Sequence, residues 1–255
     1  MSMNDHLPFH DMTALITGAS TGIGAATAIA FAQQGANIII HYNANHAQAE
    51  SVLQTAQQYG VKAELFQADL TAAEGSRKLA RYASQKPVDI LVNNAGSLLT
   101  RTRVLDFTEE LWERMLMLNL TSAFFLSQAV LKGMVDRKRG FIVNISSVAA
   151  RTGGGLGALA YSATKAAIST MTKGLAKEFA PHNIRVNAVS PGTIDTNYHP
   201  TFSSPEALDD VRAATPLARL GRPEEIADTV VFLCSDAASF VHGQVLEVNG
   251  GFLMA

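Results

Sequence analysis

A single cysteine, Cys234, occurs in the 255 residues. That leaves no intramolecular disulfide and no cysteine-based metal cluster, and it suits a reducing compartment. An excess of either charge is also missing: 20 basic against 22 acidic residues give a net charge of −2. A near-neutral chain lacks the field that holds a polyanion, so neither nucleic acid nor an anionic membrane is expected as its main partner. No run of ~20 apolar residues marks a bilayer span. Met1 to Met12 has neither a basic start nor an apolar stretch of the secretory kind, so cytoplasmic residence is expected. The histidines (His6, His10, His41, His46, His182, His199 and His242) include no pair at helical metal-ligand spacing flanked by acids, so no metal site is expected.

Linkers rich in proline or serine are absent too, and residues 1–255 read as one domain. Apolar runs of strand length alternate with longer amphipathic stretches. The strands are expected at Ala14–Thr17, Asn37–Tyr42, Lys62–Ala68, Ile90–Asn93, Gly140–Ser146, Arg185–Ser190 and Gln244–Val248. Most are continuously apolar rather than alternating, the pattern of strands covered on both faces. The fold class is therefore α/β: a doubly wound, mainly parallel sheet of about seven strands with helices on both sides. Helix starts are expected behind Thr108 and Ser204 and at Pro223, where acids or proline follow in the first turn. Residues 193–222, with Pro200, Pro205 and Pro216, form the one long stretch without a strong period and are expected to cover a substrate.

The first strand runs into Thr17-Gly18-Ala19-Ser20-Thr21-Gly22-Ile23-Gly24 and then a helical pattern. Strand, glycine-rich turn and helix are the context that a Rossmann-type phosphate site requires, although three residues rather than one separate Gly18 from Gly22, and turn glycines without a ligand are the alternative. Gly18 permits the reversal, Gly22 lets backbone approach a pyrophosphate, and Gly24 lets the helix pack closely. An NAD site would carry a carboxylate at the end of the second strand, to hold the ribose 2′-hydroxyl. Here that place reads His41-Tyr42-Asn43, with Asn45 and His46 just beyond. With no carboxylate to repel a 2′-phosphate, NADP is expected, with NAD as the alternative; Thr21 stands where a basic residue could have held the phosphate.

Tyr161 and Lys165 are four apart in a helical segment and so share a face. An ammonium beside a phenol favours the phenolate and is expected to lower its pKa, giving a group that exchanges protons with an alcohol or carbonyl. Upstream, Ile142 to Ser147 reads as a buried strand ending in hydroxyls. Over essentially its whole length the chain resembles the short-chain dehydrogenases/reductases. The matching elements are Thr17-Gly18-x-x-x-Gly22-Ile23-Gly24, Asp69-Leu70, Asn93-Asn94-Ala95-Gly96, Asn119, Ser147, Tyr161-x-x-x-Lys165 and Pro191-Gly192-x-Ile194-x-Thr196, in family order.

The resemblance implies a catalytic set of Asn119, Ser147, Tyr161 and Lys165. Tyr161 would be the acid in reduction and the base in oxidation, and Lys165 would hold the nicotinamide ribose. Ser147 would bond the substrate oxygen, and Asn119 would organise a water relay. It also implies coenzyme contacts from Gly18, Ser20, Thr21, Gly22, Ile23, Gly24, Tyr42, Asn43, Asp69, Leu70, Asn93, Ala95, Gly96, Pro191, Gly192, Ile194 and Thr196, with Tyr161 and Lys165 shared. Asp69 would meet the adenine amino group. The branch it looks most like is that of 3-oxoacyl-carrier-protein reductases and their sugar and polyol dehydrogenase cousins, with a small carbonyl or alcohol substrate. A homotetramer built on the helices around Glu109–Val135 and Tyr161–Ala180 is implied as well.

Ser147 and Tyr161 are fourteen apart, one more than the commonest family spacing, so Gly153-Gly154-Gly155 is expected to hold an extra residue. Ser146 is the competing serine. Cys234 reads as a small core residue. Arg137-Lys138-Arg139 reads as a solvated turn, or as a dock for an acidic carrier protein. Two other functions stay open: a sugar or polyol dehydrogenase using NAD, and an NADP sensor without turnover.

Overall fold

The computed structural model describes residues 7–196 and 204–254. Each apolar run forms a strand: β1 (Thr13–Ile16), β2 (Asn37–Tyr42), β3 (Ala63–Gln67), β4 (Ile90–Asn93), β5 (Gly140–Ile145), β6 (Ile184–Pro191) and β7 (Val245–Val248). All pair in parallel, in the order β3-β2-β1-β4-β5-β6-β7. The order reverses between β1 and β4, the switch point at which ligands bind in such sheets.

The helices are α1 (Gly22–Gln33), α2 (His46–Gln57), α3 (Ala73–Ser84), α4 (Glu109–Leu116), α5 (Ser122–Arg137), α6 (Ala149–Thr152), α7 (Leu159–Phe179), α8 (Pro205–Ala214) and α9 (Pro223–Cys234). Successive side chains of β2 serve opposite cores. Ile38 and Ile40 join Phe31 of α1 and Val230 of α9, whereas Ile39 joins Leu79 of α3 and Met134 of α5. Both faces are thus buried, which is why the strand shows no polar alternation. Cys234 belongs to the first core, where burial pushes its thiol up to about 12, so it is inert packing.

Local chemistry sets the helix starts. Thr108 Oγ1 accepts from Leu111 N at 3.2 Å, and Ser204 Oγ accepts from Ala207 N at 3.2 Å. At Pro223 the carboxylate of Glu225 reaches back to accept from Arg222 N at 2.7 Å. The stretch 193–222 contains α8, while His199 and Pro200, like His6, lie outside the described residues.

The helical run Glu109–Arg137 meets the length and mean hydropathy, 1.3, of a membrane span, which a count of consecutive apolar residues does not single out. Met115, Leu126, Val130 and Met134 of that run are buried within the chain, so it packs as a covering helix. Its middle, Met117–Thr121, widens into a π-helical turn. At its far end Arg137 and Arg139 both reach the buried carboxylate of Asp89, at 3.3 and 3.5 Å, and Arg137 also donates to Val88 O. Two of the three basic residues read as a solvated turn therefore anchor the entry to β4.

Candidate active site

The carboxyl ends of β1, β4 and β5 meet at the switch point, and the residues implied for coenzyme and substrate gather there. Gly18 and Gly22 both take the left-handed conformation, φ 63° and 55°, which the tight turn requires. A Cβ on Gly24 would collide with the carbonyl oxygen of Gly18, so α1 can start this close to the strand only with glycine. Thr21, the residue before α1, makes no side-chain cap, and the first turn holds no acid. This differs from the capped α4 and α8 and leaves the positive end of α1 uncapped by side chains. The cradle fits the diphosphate of a dinucleotide. Thr196 lies across it: a Cβ on Gly22 would stand 3.2 Å from Thr196 Cγ2.

Beside the turn, Tyr42 is buried and its hydroxyl bonds His46 Nδ1 at 2.8 Å, while the exposed Asn43 accepts from Gln67 Nε2 through its carbonyl. Asp69 Oδ1 accepts from Thr71 N at 2.8 Å, which fixes the loop after β3, and Leu70 drops into the core. Ser20 and Ile23 sit in the turn and first helical residues, with Ile23 packed against the first core. On the far side Val148 N donates to Pro191 O, Gly192 N donates to Val248 O, and Ile194 bridges to Gly221.

The loop after β4 supports this groove from below. The amide of Asn93 turns inward, donating to Ser127 Oγ at 3.0 Å and to Asn144 Oδ1 at 2.8 Å. Its neighbour Asn94 instead donates to the carbonyls of Thr17 and Gly18, and Thr17 Oγ1 accepts from Asn94 N and Ala95 N. Thr17 and Asn94 therefore stitch the phosphate turn to the β4 loop. Sequence reasoning gave neither a role; the one signal was a second asparagine directly past a strand end. It also passed over the clip from Arg151 on α6 to Glu247 on β7, at 3.0 Å.

Ser147, Tyr161, Lys165 and Asn119 come together behind that loop. Ser147 Oγ accepts from Ala149 N at 3.1 Å and meets the Tyr161 phenol. Its own proton is directed at the phenol oxygen, the bond that acts to lower the Tyr161 pKa. Ser146 faces away, its hydroxyl held by Ser169 Oγ at 2.7 Å and by the Lys165 carbonyl at 3.0 Å. Between α6 and α7, where the extra residue is expected, Gly153, Gly154 and Gly157 all have positive φ. Lys165 is 3% exposed, donates to Ile145 O at 2.7 Å and lies 5.6 Å from the Tyr161 ring centre. A Cβ on Gly96 would stand 2.8 Å from Lys165 Nζ and 2.9 Å from Asn119 Oδ1, so those three segments close on one point.

The electrostatics correct one expectation. Burial pushes the Tyr161 phenol up to about 12, with the Ser147 hydrogen bond acting against it. The same loss of water pulls Lys165 down to about 8. Proximity to a cation was expected to lower the phenol; here burial of the phenol outweighs it, while the Lys165 ammonium donates to the Ile145 carbonyl.

Known proteins place this geometry. A family model described as enoyl-(acyl carrier protein) reductase matches residues 18–253. A 3-oxoacyl-acyl-carrier-protein reductase of Aquifex aeolicus is 41% identical over 243 residues, covering 93% of this chain and 95% of the relative. The chain belongs to the short-chain dehydrogenase/reductase family. A 2-dehydro-3-deoxy-D-gluconate 5-dehydrogenase of Bacillus subtilis is 37% identical over 254 residues, 98% of each chain. A structure from Beutenbergia cavernae, named for gluconate 5-dehydrogenase and holding NADP, superposes with a TM-score of 0.91 at 35% identity, covering 98% of this chain and 99% of the other. As a short-chain dehydrogenase/reductase the protein is an oxidoreductase of alcohol and carbonyl groups that works with a nicotinamide coenzyme.

Proposed function

We propose that the protein is an NADP-preferring reductase of a small carbonyl compound, with Tyr161 as the proton donor. The observation that carries this reading is the meeting of Ser147 with the Tyr161 phenol, one helical turn from the buried Lys165. Ser147 and Tyr161 hold the carbonyl oxygen of the substrate by two hydrogen bonds that tighten as charge develops on it. A bound nicotinamide coenzyme supplies hydride to the substrate carbon, or accepts it in the reverse direction. Tyr161 gives its proton to the new alkoxide. A phenol pushed up to about 12 is protonated throughout the physiological range, which suits the acid role and hence reduction. Lys165, held at about 8, loses its proton more readily than an exposed lysine and can refill the phenol. Asn119 holds the loop that shapes this end of the groove.

The preference for NADP is supported by the absence of a carboxylate at the end of β2 and by the Tyr42–His46 pair at the start of α2. Structural neighbours that hold NADP agree with it. The second reading is a sugar or polyol dehydrogenase using NAD, whose substrate class, though not its coenzyme, is favoured by the gluconate-type relatives. Paired assays of NADPH and NADH on acetoacetyl thioesters and on sugar acids, polyols and simple ketones separate the two. Turnover of thioesters with NADPH supports the first reading, and NAD-dependent polyol oxidation alone overturns it. Tight NADPH binding with no turnover on any of them points to a sensor.

A homotetramer fits the outer face of α4, α5 and α7, where Trp112, Phe124, Phe125 and Leu159 are 40 to 56% exposed. Sedimentation as a stable monomer would remove this assignment.

A further inference from the structure

His41 is the one polar interruption in the Asn37–Tyr42 strand after its first residue, and it is 2% exposed. Its Nδ1 accepts from Gly18 N at 3.1 Å, and its Nε2 lies 3.0 Å from the carbonyl oxygen of Ala68. A backbone N–H can only donate, so Nδ1 carries no proton and Nε2 carries it and donates to Ala68. One neutral tautomer alone satisfies both bonds. The backbone of the same residue takes part as well, since Ala19 N donates to His41 O at 2.8 Å.

These partners are the first glycine of the phosphate turn and the residue before Asp69. Gly18 is therefore held at both ends, its N–H by His41 and its carbonyl by Asn94 at 3.1 Å. We propose that His41 is a positioning residue for the coenzyme, tying the phosphate turn to the loop that carries Asp69 so that both ends of the adenosine diphosphate site are set before binding. The proposal rests on the reading that this half of the coenzyme lies over Gly18 and Asp69.

A protonated ring has no acceptor for Gly18, and two N–H groups would then face each other. The groups around the ring give that cation little help. The phosphate turn offers only the backbone of Gly18 and Ala19, and α3 turns Ser76, Leu79 and Ala83 inward. Among the described residues the charge of Asp69 favours the cation, by less than burial opposes it. Burial accordingly pulls His41 down to about 4. Coenzyme affinity is then full above that value and falls as pH drops through it.

The test measures Kd for NADPH by fluorescence, with KM for NADPH and kcat, in the full-length protein. His41→Phe removes both bonds and is expected to raise Kd and KM about tenfold with kcat at saturation within about twofold, the effect of losing one buried hydrogen bond from the bound state. It also abolishes the acid limb of affinity. His41→Asn, whose Oδ1 can accept from Gly18, restores wild-type Kd to within about threefold, while His41→Gln, which serves Ala68 alone, does not. This Asn/Gln pair decides the matter if the phenylalanine variant fails to fold. Asp69→Ala is the control for the site. Weak binding in Asp69→Ala with unchanged KM in His41→Phe overturns the role of His41 alone; unchanged binding in both overturns the placement of the coenzyme. A lower melting temperature in His41→Phe without a change in KM makes the residue merely structural and also defeats the proposal.

Discussion

The side-chain amide of Asn119 grips the backbone of Ser97 at two points, accepting its N–H at 3.0 Å through Oδ1 and donating to its carbonyl at 2.9 Å through Nδ2. The second proton of Nδ2 goes to Met115 O at 3.0 Å. A π-helical turn brings the amide there, an irregularity that often marks a functional position. Asn119→Ala removes three hydrogen bonds from a residue that is 1% exposed, and about 1–3 kcal/mol of stability is expected to go with them. Asn119→Asp turns a carboxylate oxygen toward two carbonyls and is expected to be worse than alanine at pH 7. The carboxyl group, raised by that repulsion, regains a donor on protonation, so the deficit shrinks as pH falls toward 5. Urea unfolding of the three proteins at both pH values checks this.

Tyr161→Phe keeps the ring and deletes the proposed proton donor, and a loss of about 10²–10⁴-fold in kcat/KM is expected for reduction. The raised phenol also fixes a pH signature. Reduction needs the protonated form, which persists to about 12, so its rate is expected to stay level from pH 6 to 7.5 at saturating coenzyme, below the loss of the Lys165 proton at about 8. Oxidation needs the ionised form and is expected to rise nearly tenfold per unit across the same range. Parallel initial-rate profiles for the two directions decide it; an oxidation profile that levels off near pH 7 would show a phenol far more acidic than the buried one described above.

Lys165 binds its proton less tightly folded, at about 8, than its ordinary value of 10.5. Between those two values the unfolded chain holds a proton that the folded chain has released, so this residue makes stability rise with pH across that window. Below about 8 the stabilisation is gone. Lys165→Met deletes this dependence, and wild type is expected to gain about 3 kcal/mol on the variant from pH 8 to 10.5. Denaturant titrations at pH 7.5 and 10 give the difference; equal offsets at both would contradict it. Activity of the variant is expected to fall sharply at either pH.

The two adjacent serines give opposite expectations. Ser147→Ala removes the proposed hydrogen bond to the developing oxyanion and is expected to cost about 10²-fold or more in kcat. Ser146→Ala keeps kcat within a few-fold but loses the bonds to Ser169 and the Lys165 carbonyl, about 1 kcal/mol of stability. Steady-state kinetics and thermal melts of the pair are sufficient.

Much of the fold was legible because its determinants are local. The continuous apolar runs mark every strand to within a residue or two, and Thr108, Ser204 and Pro223 begin helices through bonds or fixed angles within three residues. The Tyr161–Lys165 pair was legible for the same reason, since helical spacing alone puts both on one face. What escaped depends on residues that meet only after the sheet has formed. His41 finds Gly18 across 23 positions, and Asn94 finds Thr17 across 77. The phenol's shift escaped as well: sequence shows that a cation is near but not how much water both groups lose. Arg137 and Arg139 looked like solvent-facing charge until the fold brought Asp89 beneath them.

Gly96 leaves no room for even a methyl group between Lys165 and Asn119, and those three residues come from the β4 loop, the π-helical turn and α7. The proposed active site therefore has no partial version: a half-assembled chain lacks a wall, a lysine or a clamp. During refolding, turnover is expected to be the last property to return, its recovery reporting the fraction of molecules that have closed completely rather than the average amount of helix or sheet regained.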